Sequence, residues 1–163
     1  MTTHAYETMV TWSAGDSLGT ANYRSYSRNH SIEVEGKPAI AASSDPTFRG
    51  DRSRYNPEEL LVASLSSCHM LWYLHLCAVN DVVVREYHDR AVGKMRTETD
   101  GSGRFVLVEL RPVVTISARS NRARALDLHH EAHRLCFIAR SVNFPVEVRT
   151  ELGSVRLEDE ADE

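Results

Sequence analysis

Cysteine is the residue type in this chain best suited to redox chemistry, and it occurs three times, at Cys68, Cys77 and Cys136. So few thiols, in an odd number, do not make a disulfide framework. In a reducing compartment they are more often free, metal-bound or redox-active. The reactive form is the thiolate, and burial raises the pKa of a thiol above its ordinary value of about 8.5. A buried redox cysteine therefore requires a cation beside it.

Cys68 lies within the most apolar stretch of the chain, which predicts a buried helix over residues 56–77. Asn56 is a good N-cap, Pro57 suits the first helical position, and Glu59 can close a capping box with Asn56. Apolar or small side chains cover nearly every face, which is typical of a helix inside a protein. About 22 residues could also cross a bilayer. The early glutamates, the serines and the histidines of the stretch favour a core helix instead.

Cys77 and His69 have simpler interpretations than catalysis. Cys77 follows Cys68 by nine residues, about 14 Å along a helix, which is too far for a disulfide between them. Free cysteine is among the most buried residue types, so Cys77 is expected in the core. His69 projects about 100° around the helix from Cys68, which makes it a poor base for that thiol. We expect His69 in the core or at an interface.

A histidine cluster lies on the second predicted helix. His129 and His133 are four residues apart, with His130 between them, so two imidazoles share one helix face and could bind a metal ion. No glutamate directly follows His129, as the zinc-protease pattern requires, and no third ligand is indicated. A solvated helix face is therefore the favoured interpretation.

Length and charge narrow the class of protein. With 163 residues, 42% of them hydrophobic, the chain predicts one domain with a substantial core. The net charge is -4 and the basic residues are scattered, which argues against nucleic acid or an anionic membrane as partner. The N-terminus lacks a basic region followed by an apolar one, so no signal peptide is predicted and a cytoplasmic location is expected.

The predicted elements follow the order strands, buried helix, strands, second helix, strand. Strands are predicted over residues 6–12, 21–27, 31–34, 39–42, 82–97, 104–118, 145–152 and 154–157, and an amphipathic second helix over 121–141. This order predicts an α+β domain over residues 1–157, with antiparallel sheets packed against the two helices. The acidic tail, residues 158–163, is expected to be disordered.

Two motifs resemble the OsmC/Ohr family of osmotically induced proteins and organic hydroperoxide resistance proteins. The first is Asn-Pro-Glu-Glu-Leu-Leu-Val-Ala-Ser-Leu-Ser-Ser-Cys-His, from Asn56 to His69. The second is Ala-His-Arg-Leu-Cys, ending at Cys136, followed by Asn-Phe-Pro-Val-Glu, ending at Glu147. The resemblance implies an intertwined homodimer with a long central helix and two equivalent sites at the subunit interface.

The resemblance also implies an activity, a thiol-dependent peroxidase acting on organic hydroperoxides without a cofactor. Cys68 would be the peroxidatic thiol and would become a sulfenic acid, and Cys136 would be the resolving thiol that closes a disulfide. An external dithiol, which is a lipoylated protein for some family members, would reduce that disulfide.

The cation that such a thiolate needs would come from an arginine paired with a glutamate. Glu58 matches the glutamate of the family motif. Arg49 best matches the arginine in the pattern of one branch and Arg28 is the second choice, while Arg52 and Arg54 stay open.

Glu58 and Cys68 are ten residues apart, about 15 Å along one continuous helix. Either the helix breaks between them, or each site takes Glu58 from one subunit and Cys68 from the other. The second arrangement fits an obligate dimer and is our hypothesis.

One residue departs from the family pattern, because Phe137 follows Cys136 where hydroperoxidase branches commonly have proline. The substitution could shift Cys136 relative to Cys68.

Trp72 and Tyr73 either line an apolar pocket, which would favour bulky organic hydroperoxides, or fill the core. Two other functions stay open: a dimeric binding protein for an apolar ligand, with idle cysteines, and, ranked lower, a metal protein using the histidines.

Overall fold

The computed structural model describes residues 2–158, without the side chain of Leu152, and contains two α-helices and nine strands within that range. In chain order they are β1 (Met9–Thr11), β2 (His30–Glu33), β3 (Ile40–Ala42), α1 (Pro57–Val79), β4 (Val84–Asp89), β5 (Val92–Thr97), β6 (Gly103–Leu110), β7 (Pro112–Ile116), α2 (Arg122–Leu135), β8 (Val146–Val148) and β9 (Val155–Leu157). The chain forms two compact units, residues 1–60 and 61–163.

The first unit is an antiparallel sheet of three short strands in the order β1-β2-β3. Large apolar side chains remain on its surface, among them Met9 at 58% exposure, Tyr23 at 59% and Tyr55 at 61%. Residues 21–27, predicted as a strand, instead continue from a short 3-10 turn into a loop, so that prediction was wrong.

The second unit holds two mixed sheets, in the orders β4-β7-β9 and β5-β6-β8. The hairpin pairings are antiparallel, whereas β8 and β9 add parallel to β6 and β7. One core packs Tyr73, Leu76 and Cys77 of α1 against α2 and the β4-β7-β9 sheet. A second core surrounds Leu65 of α1 together with Val108 and Leu110 of β6. The predicted α+β class with two helices is confirmed, whereas the sheets are antiparallel only in the first unit and mixed in the second.

Two predicted long strands each divide into two. Residues 82–97 become β4 and β5, and residues 104–118 become β6 and β7, so that each half joins a different sheet. The second break falls at Arg111 and Pro112. Proline has no backbone N–H, so it cannot donate a hydrogen bond to a neighbouring strand. Because of these breaks, β4 and β7 pack on one core, and β5 and β6 belong to the sheet that packs on the other.

Helix α1 begins as predicted. The Asn56 side chain accepts a hydrogen bond from the Glu59 backbone N–H at 2.8 Å, and the Asn56 N–H donates to the Glu59 carboxylate at 3.1 Å, which completes the capping box. Gly93 on β5 lets Val62 approach, because a Cβ at that glycine would lie 2.6 Å from the valine methyl group. By length and composition α1 could also cross a membrane. It buries one face in the second unit and leaves Leu71 62% exposed.

Helix α2 is shorter than predicted. It begins at an N-cap, Asn121, whose side chain accepts from the Arg124 N–H, and it ends at Leu135 rather than at residue 141. Cys136 leaves the helix in an extended conformation with its N–H bonded to the His133 carbonyl. Residues 159–163, most of the predicted acidic tail, lie outside the described residues, while Glu158 forms an ion pair with Arg85 at 3.4 Å.

Candidate active site

Two of the three thiols meet in the second unit. Cys68 lies midway along α1 and is half-buried, and Cys136 caps α2 and is 1% exposed. The Cys136 thiol lies close enough to the Cys68 side chain for its own ionisation to be affected, and both cysteines are free thiols. The structure thus brings together the two cysteines that the sequence placed on different helices.

The surroundings of Cys136 keep its thiol protonated. Burial raises the pKa of Cys136 to about 11, and the contact with Cys68 raises it further, although the backbone N–H groups of Ala139 and Ile138 act in the opposite direction. Cys136 is therefore an inaccessible thiol near neutral pH, whereas Cys68 is partly open to solvent. An external oxidant can reach Cys68 first.

Phe137, where the family pattern has proline, does not separate the two thiols. Its ring is 66% exposed and meets Trp72 edge-to-face, with the ring centroids 5.3 Å apart and the planes at 87°. Trp72 lies one helical turn after Cys68, so the aromatic pair stands beside both thiols. Tyr73, the other candidate wall residue, is fully buried in the core.

Cys77 behaves as a core residue. It is 1% exposed within the core of the second unit, and burial raises the pKa of its thiol to about 11. It remains a free thiol on the same helix as Cys68. Its assignment as a packing residue agrees with this environment.

Glu58 occupies the first turn of α1, and the helix is continuous from Pro57 to Val79. The alternative in which the helix breaks between Glu58 and Cys68 is therefore excluded. Along the helix axis the two residues stay about 15 Å apart.

The four candidate arginines all belong to the first unit and differ in how firmly they are held. Arg28 stacks on Tyr26 at 3.9 Å and on Tyr23 at 4.6 Å, and it donates hydrogen bonds to the backbone carbonyls of both tyrosines. It also lines an apolar groove of about 370 Å³ together with Trp12 and Pro57. Arg28 is thus a cation held by several contacts and lines the same groove as Pro57, the first residue of α1.

The other arginines make fewer contacts. Arg49 is exposed and has a left-handed backbone, with a φ of 67°. Arg54 approaches Asp51 at 3.6 Å, and Arg52 is exposed. The geometry favours Arg28 over Arg49 as a fixed charge, and the assignment of the arginine itself stays a prediction.

A buried histidine pair lies between the same two helices. His69 Nε2 and His129 Nδ1 are 3.1 Å apart, and Tyr73 stacks on His129 with a centroid distance of 3.9 Å. The burial of His69 confirms its interpretation as a core histidine. The interpretation of His129 as part of a solvated face was wrong, since it is 1% exposed. Its position beside Leu128 and Ala132, within the apolar stripe of α2, was the signal that could have placed it inside.

Burial makes both imidazoles poor bases. It lowers the pKa of His69 to about 4, with His133 adding to the effect, and it lowers the pKa of His129 to about 3, with His69 and His130 adding to the effect. Between these values and about 6.5 the unfolded chain binds protons that the folded chain does not, so stability falls as pH falls. Each histidine contributes about 1.4 kcal/mol per pH unit inside that window.

We therefore expect the free energy of unfolding to drop by about 3 to 4 kcal/mol between pH 7 and pH 5, measured by urea denaturation. A His129→Asn variant should lose roughly half of this pH dependence. His75→Asn, which removes an exposed imidazole from α1, should retain it. Equal stability of the unmodified protein at the two pH values would contradict the burial of a neutral pair.

The histidine cluster does not extend to a metal site. Within residues 2–158, no group of three or more His, Cys, Asp or Glu side chains is arranged to hold a metal ion. His130 is exposed and His133 is half-buried, while His129 turns inward toward His69. In the possible metal pair, His129 is therefore directed toward His69, and the Nδ1 atom of His133 is buried as well.

Fold and site together define a class: an α+β protein in which two helices bring a half-exposed thiol against a buried one. Residues 50–151 match the family described as OsmC-like protein. The chain belongs to the OsmC-like family. No protein with a curated description matches it.

Solved structures agree with this assignment. An OsmC-like protein of unknown function from Vibrio cholerae is 35% identical, with a TM-score of 0.83 over 90% of this chain and 99% of that one. An organic hydroperoxide resistance protein OsmC from Legionella pneumophila is 17% identical, with a TM-score of 0.63 over 95% and 98%. A putative organic hydroperoxide resistance protein from Vibrio cholerae, with captopril bound in one of its active sites, is 21% identical, with a TM-score of 0.63 over 95% and 93%. The last two show similarity of fold.

Proposed function

We propose that this protein is a thiol-dependent peroxidase that reduces organic hydroperoxides in the cytoplasm. The observation that carries the proposal is the contact between a half-exposed Cys68 thiol and a buried Cys136 thiol. An accessible sulfur can meet the oxidant, and a protected sulfur beside it can capture the oxidised product. Relatives of the same fold that are named as organic hydroperoxide resistance proteins support the substrate class.

The proposed reaction has three balanced steps. The Cys68 thiolate attacks the O–O bond of the hydroperoxide and, with one proton, yields a Cys68 sulfenic acid and an alcohol. The Cys136 thiol then attacks that sulfur, which forms the Cys68–Cys136 disulfide and releases water. An external dithiol, such as a lipoylated protein, donates two electrons and two protons to restore both thiols and becomes a disulfide itself.

The aromatic pair beside the thiols supports an organic substrate. Trp72 and Phe137 present apolar surface next to Cys68, and the Phe137 ring is largely exposed. An apolar wall binds the carbon chain of an organic hydroperoxide and gives hydrogen peroxide nothing comparable to bind. We propose this wall as the reason for a preference for organic hydroperoxides.

Thiolate formation at Cys68 requires a positive charge, which we assign to an arginine paired with Glu58 in a homodimer. Exposed apolar residues on both units support association with a second copy, including Tyr55 in the first unit and Leu71 on α1. Among the candidate arginines, Arg28 has the most contacts in the described residues. In this proposal Glu58 and its arginine come from the subunit that does not carry the reacting Cys68.

Rapid mixing of reduced protein with cumene hydroperoxide tests the activity. We expect the Cys68→Ser variant to consume hydroperoxide at least about a thousandfold more slowly than the unmodified protein, because the nucleophile is lost. Cys77→Ser is the matched control and should react at the unmodified rate, since Cys77 lies in the core. Stopped-flow monitoring of protein fluorescence and peroxide concentration measures both rates.

A second function is supported by the groove that contains Arg28. The surface that lines it is almost wholly apolar, and Trp12, Tyr26, Arg28 and Pro57 contribute to it. Such a groove suits an apolar molecule, and the protein would then be a dimeric binding protein. Equal hydroperoxide consumption by the Cys68→Ser variant and the unmodified protein would refute the peroxidase and leave the binding protein.

A further inference from the structure

The contact between His69 and His129 joins α1 to α2, the helices that lead to Cys68 and Cys136, yet the proposed reaction does not use it. The two rings are 5.4 Å apart between centroids and within 6° of parallel, with Nε2 of His69 and Nδ1 of His129 separated by 3.1 Å. Both side chains are at most 1% exposed. The bond therefore forms in a buried environment of low dielectric constant, where a hydrogen bond is electrostatically stronger than in water.

Burial of this pair carries a free-energy penalty that apolar side chains would avoid. Two neutral imidazoles carry two N–H groups, and only one can lie in the hydrogen bond between them. Nδ1 of His69 and Nε2 of His129 have no hydrogen-bond partner among the described residues, so one N–H is buried without an acceptor. Apolar side chains of similar size would fill the same space without that penalty. Filling space in the core therefore does not explain why two histidines occupy these positions.

The position of the pair relates directly to the thiols. His69 follows Cys68 on α1, and His129 precedes Cys136 by seven residues, close to two full turns on the same face of α2. Tyr73, also on α1, stacks on the His129 ring. The two helices are therefore joined at two points, one imidazole pair and one thiol pair.

We propose that the His69–His129 hydrogen bond positions α1 against α2 at the separation from which Cys68 and Cys136 close a disulfide. A disulfide forms only when the two Cα atoms are about 4.4 to 6.8 Å apart with suitable Cβ directions. A shift of one helix by about an ångström costs much of that geometry. The inference rests on the proposed function only in treating Cys68 and Cys136 as a pair that forms a disulfide.

Thiol–disulfide exchange with glutathione measures the positioning without any peroxide. Oxidised glutathione takes two electrons from the reduced protein, which forms the Cys68–Cys136 disulfide, and two reduced glutathione molecules take up the two protons. The equilibrium constant of this exchange reports how readily the two protein thiols meet. We expect His129→Leu to lower that constant about tenfold while leaving the urea midpoint unchanged or higher.

Matched variants separate the hydrogen bond from the size of the side chain. The amide oxygen of His129→Asn can accept from His69, and we expect an exchange constant within about twofold of the unmodified value. At position 69, His69→Gln keeps a donor whereas His69→Met does not, so the methionine variant should again be about tenfold weaker. The exposed His130→Asn serves as control and should match the unmodified protein.

A folded leucine or methionine variant with an unchanged exchange constant would overturn the proposal. If one position does not tolerate substitution, the pair of variants at the other decides. In the unmodified protein, NMR should show the imidazole N–H protected from solvent exchange in both dithiol and disulfide states, and rapid exchange in either would also refute the bond. An intact exchange response without hydroperoxide consumption would refute the peroxidase alone.

Discussion

A Cys136→Ser variant will lose its activity irreversibly when it meets excess hydroperoxide, whereas the unmodified protein will recover. After oxidation of Cys68 the variant has no thiol able to reach the sulfenic acid, because Cys77 is buried and about 14 Å away along α1. The sulfenic acid then advances to sulfinic and sulfonic acids, which thiols do not reduce. We expect less than about a tenth of the activity to return after ten equivalents of cumene hydroperoxide and a dithiol reductant.

Mass spectrometry and thiol titration identify the oxidised species. The unmodified protein should contain a Cys68–Cys136 disulfide and one remaining thiol, Cys77, of its three. The Cys136→Ser variant should instead react with a sulfenic acid trap at Cys68. Cys77→Ser should form the disulfide and recover fully. A trapped sulfenic acid at Cys68 of the unmodified protein, without a disulfide, would show that Cys136 does not resolve it.

The start of α1 could be predicted from sequence because its determinants are local. Asn56, Pro57 and Glu59 specify the capping box within four consecutive positions, and the structure forms both of its hydrogen bonds. The strand boundaries were harder to predict. The break at Arg111 and Pro112 separates β6 from β7, and it is explained only by the fact that these two strands join different sheets. The assignment of consecutive strands to different sheets depends on tertiary packing, which hydrophobic periodicity and strand propensity do not encode.

The thiol pair was predicted through family resemblance rather than from spacing. Nothing in the residues between Cys68 and Cys136 shows that their helices will meet, and the structure supplies that contact. The histidine pair illustrates the same limit more sharply. Each histidine could be assigned to a helix, but their contact depends on how α1 and α2 pack. At Phe137 the sequence suggested an effect that the structure does not show. This departure from the family pattern leaves the two thiols together.

Two inactive variants should restore each other when they form one heterodimer. Glu58→Gln and Cys68→Ser each remove part of every site in their own homodimers, and we expect each to retain less than about a hundredth of the activity. If each site joins Glu58 of one subunit to Cys68 of the other, the mixed dimer contains one complete site and one with neither residue. Its activity should be about half that of the unmodified dimer, measured after co-expression with two affinity tags and tandem purification.

A reciprocal heterodimer makes the result decisive. One subunit is unmodified and its partner carries both Glu58→Gln and Cys68→Ser. Sites shared between subunits then each lack one residue, so this dimer should be nearly inactive. Sites built within a single chain would reverse both results, giving half activity here and almost none in the first mixture. Because α1 is continuous from Pro57 to Val79 and keeps Glu58 about 15 Å from Cys68 of its own chain, we expect the shared arrangement.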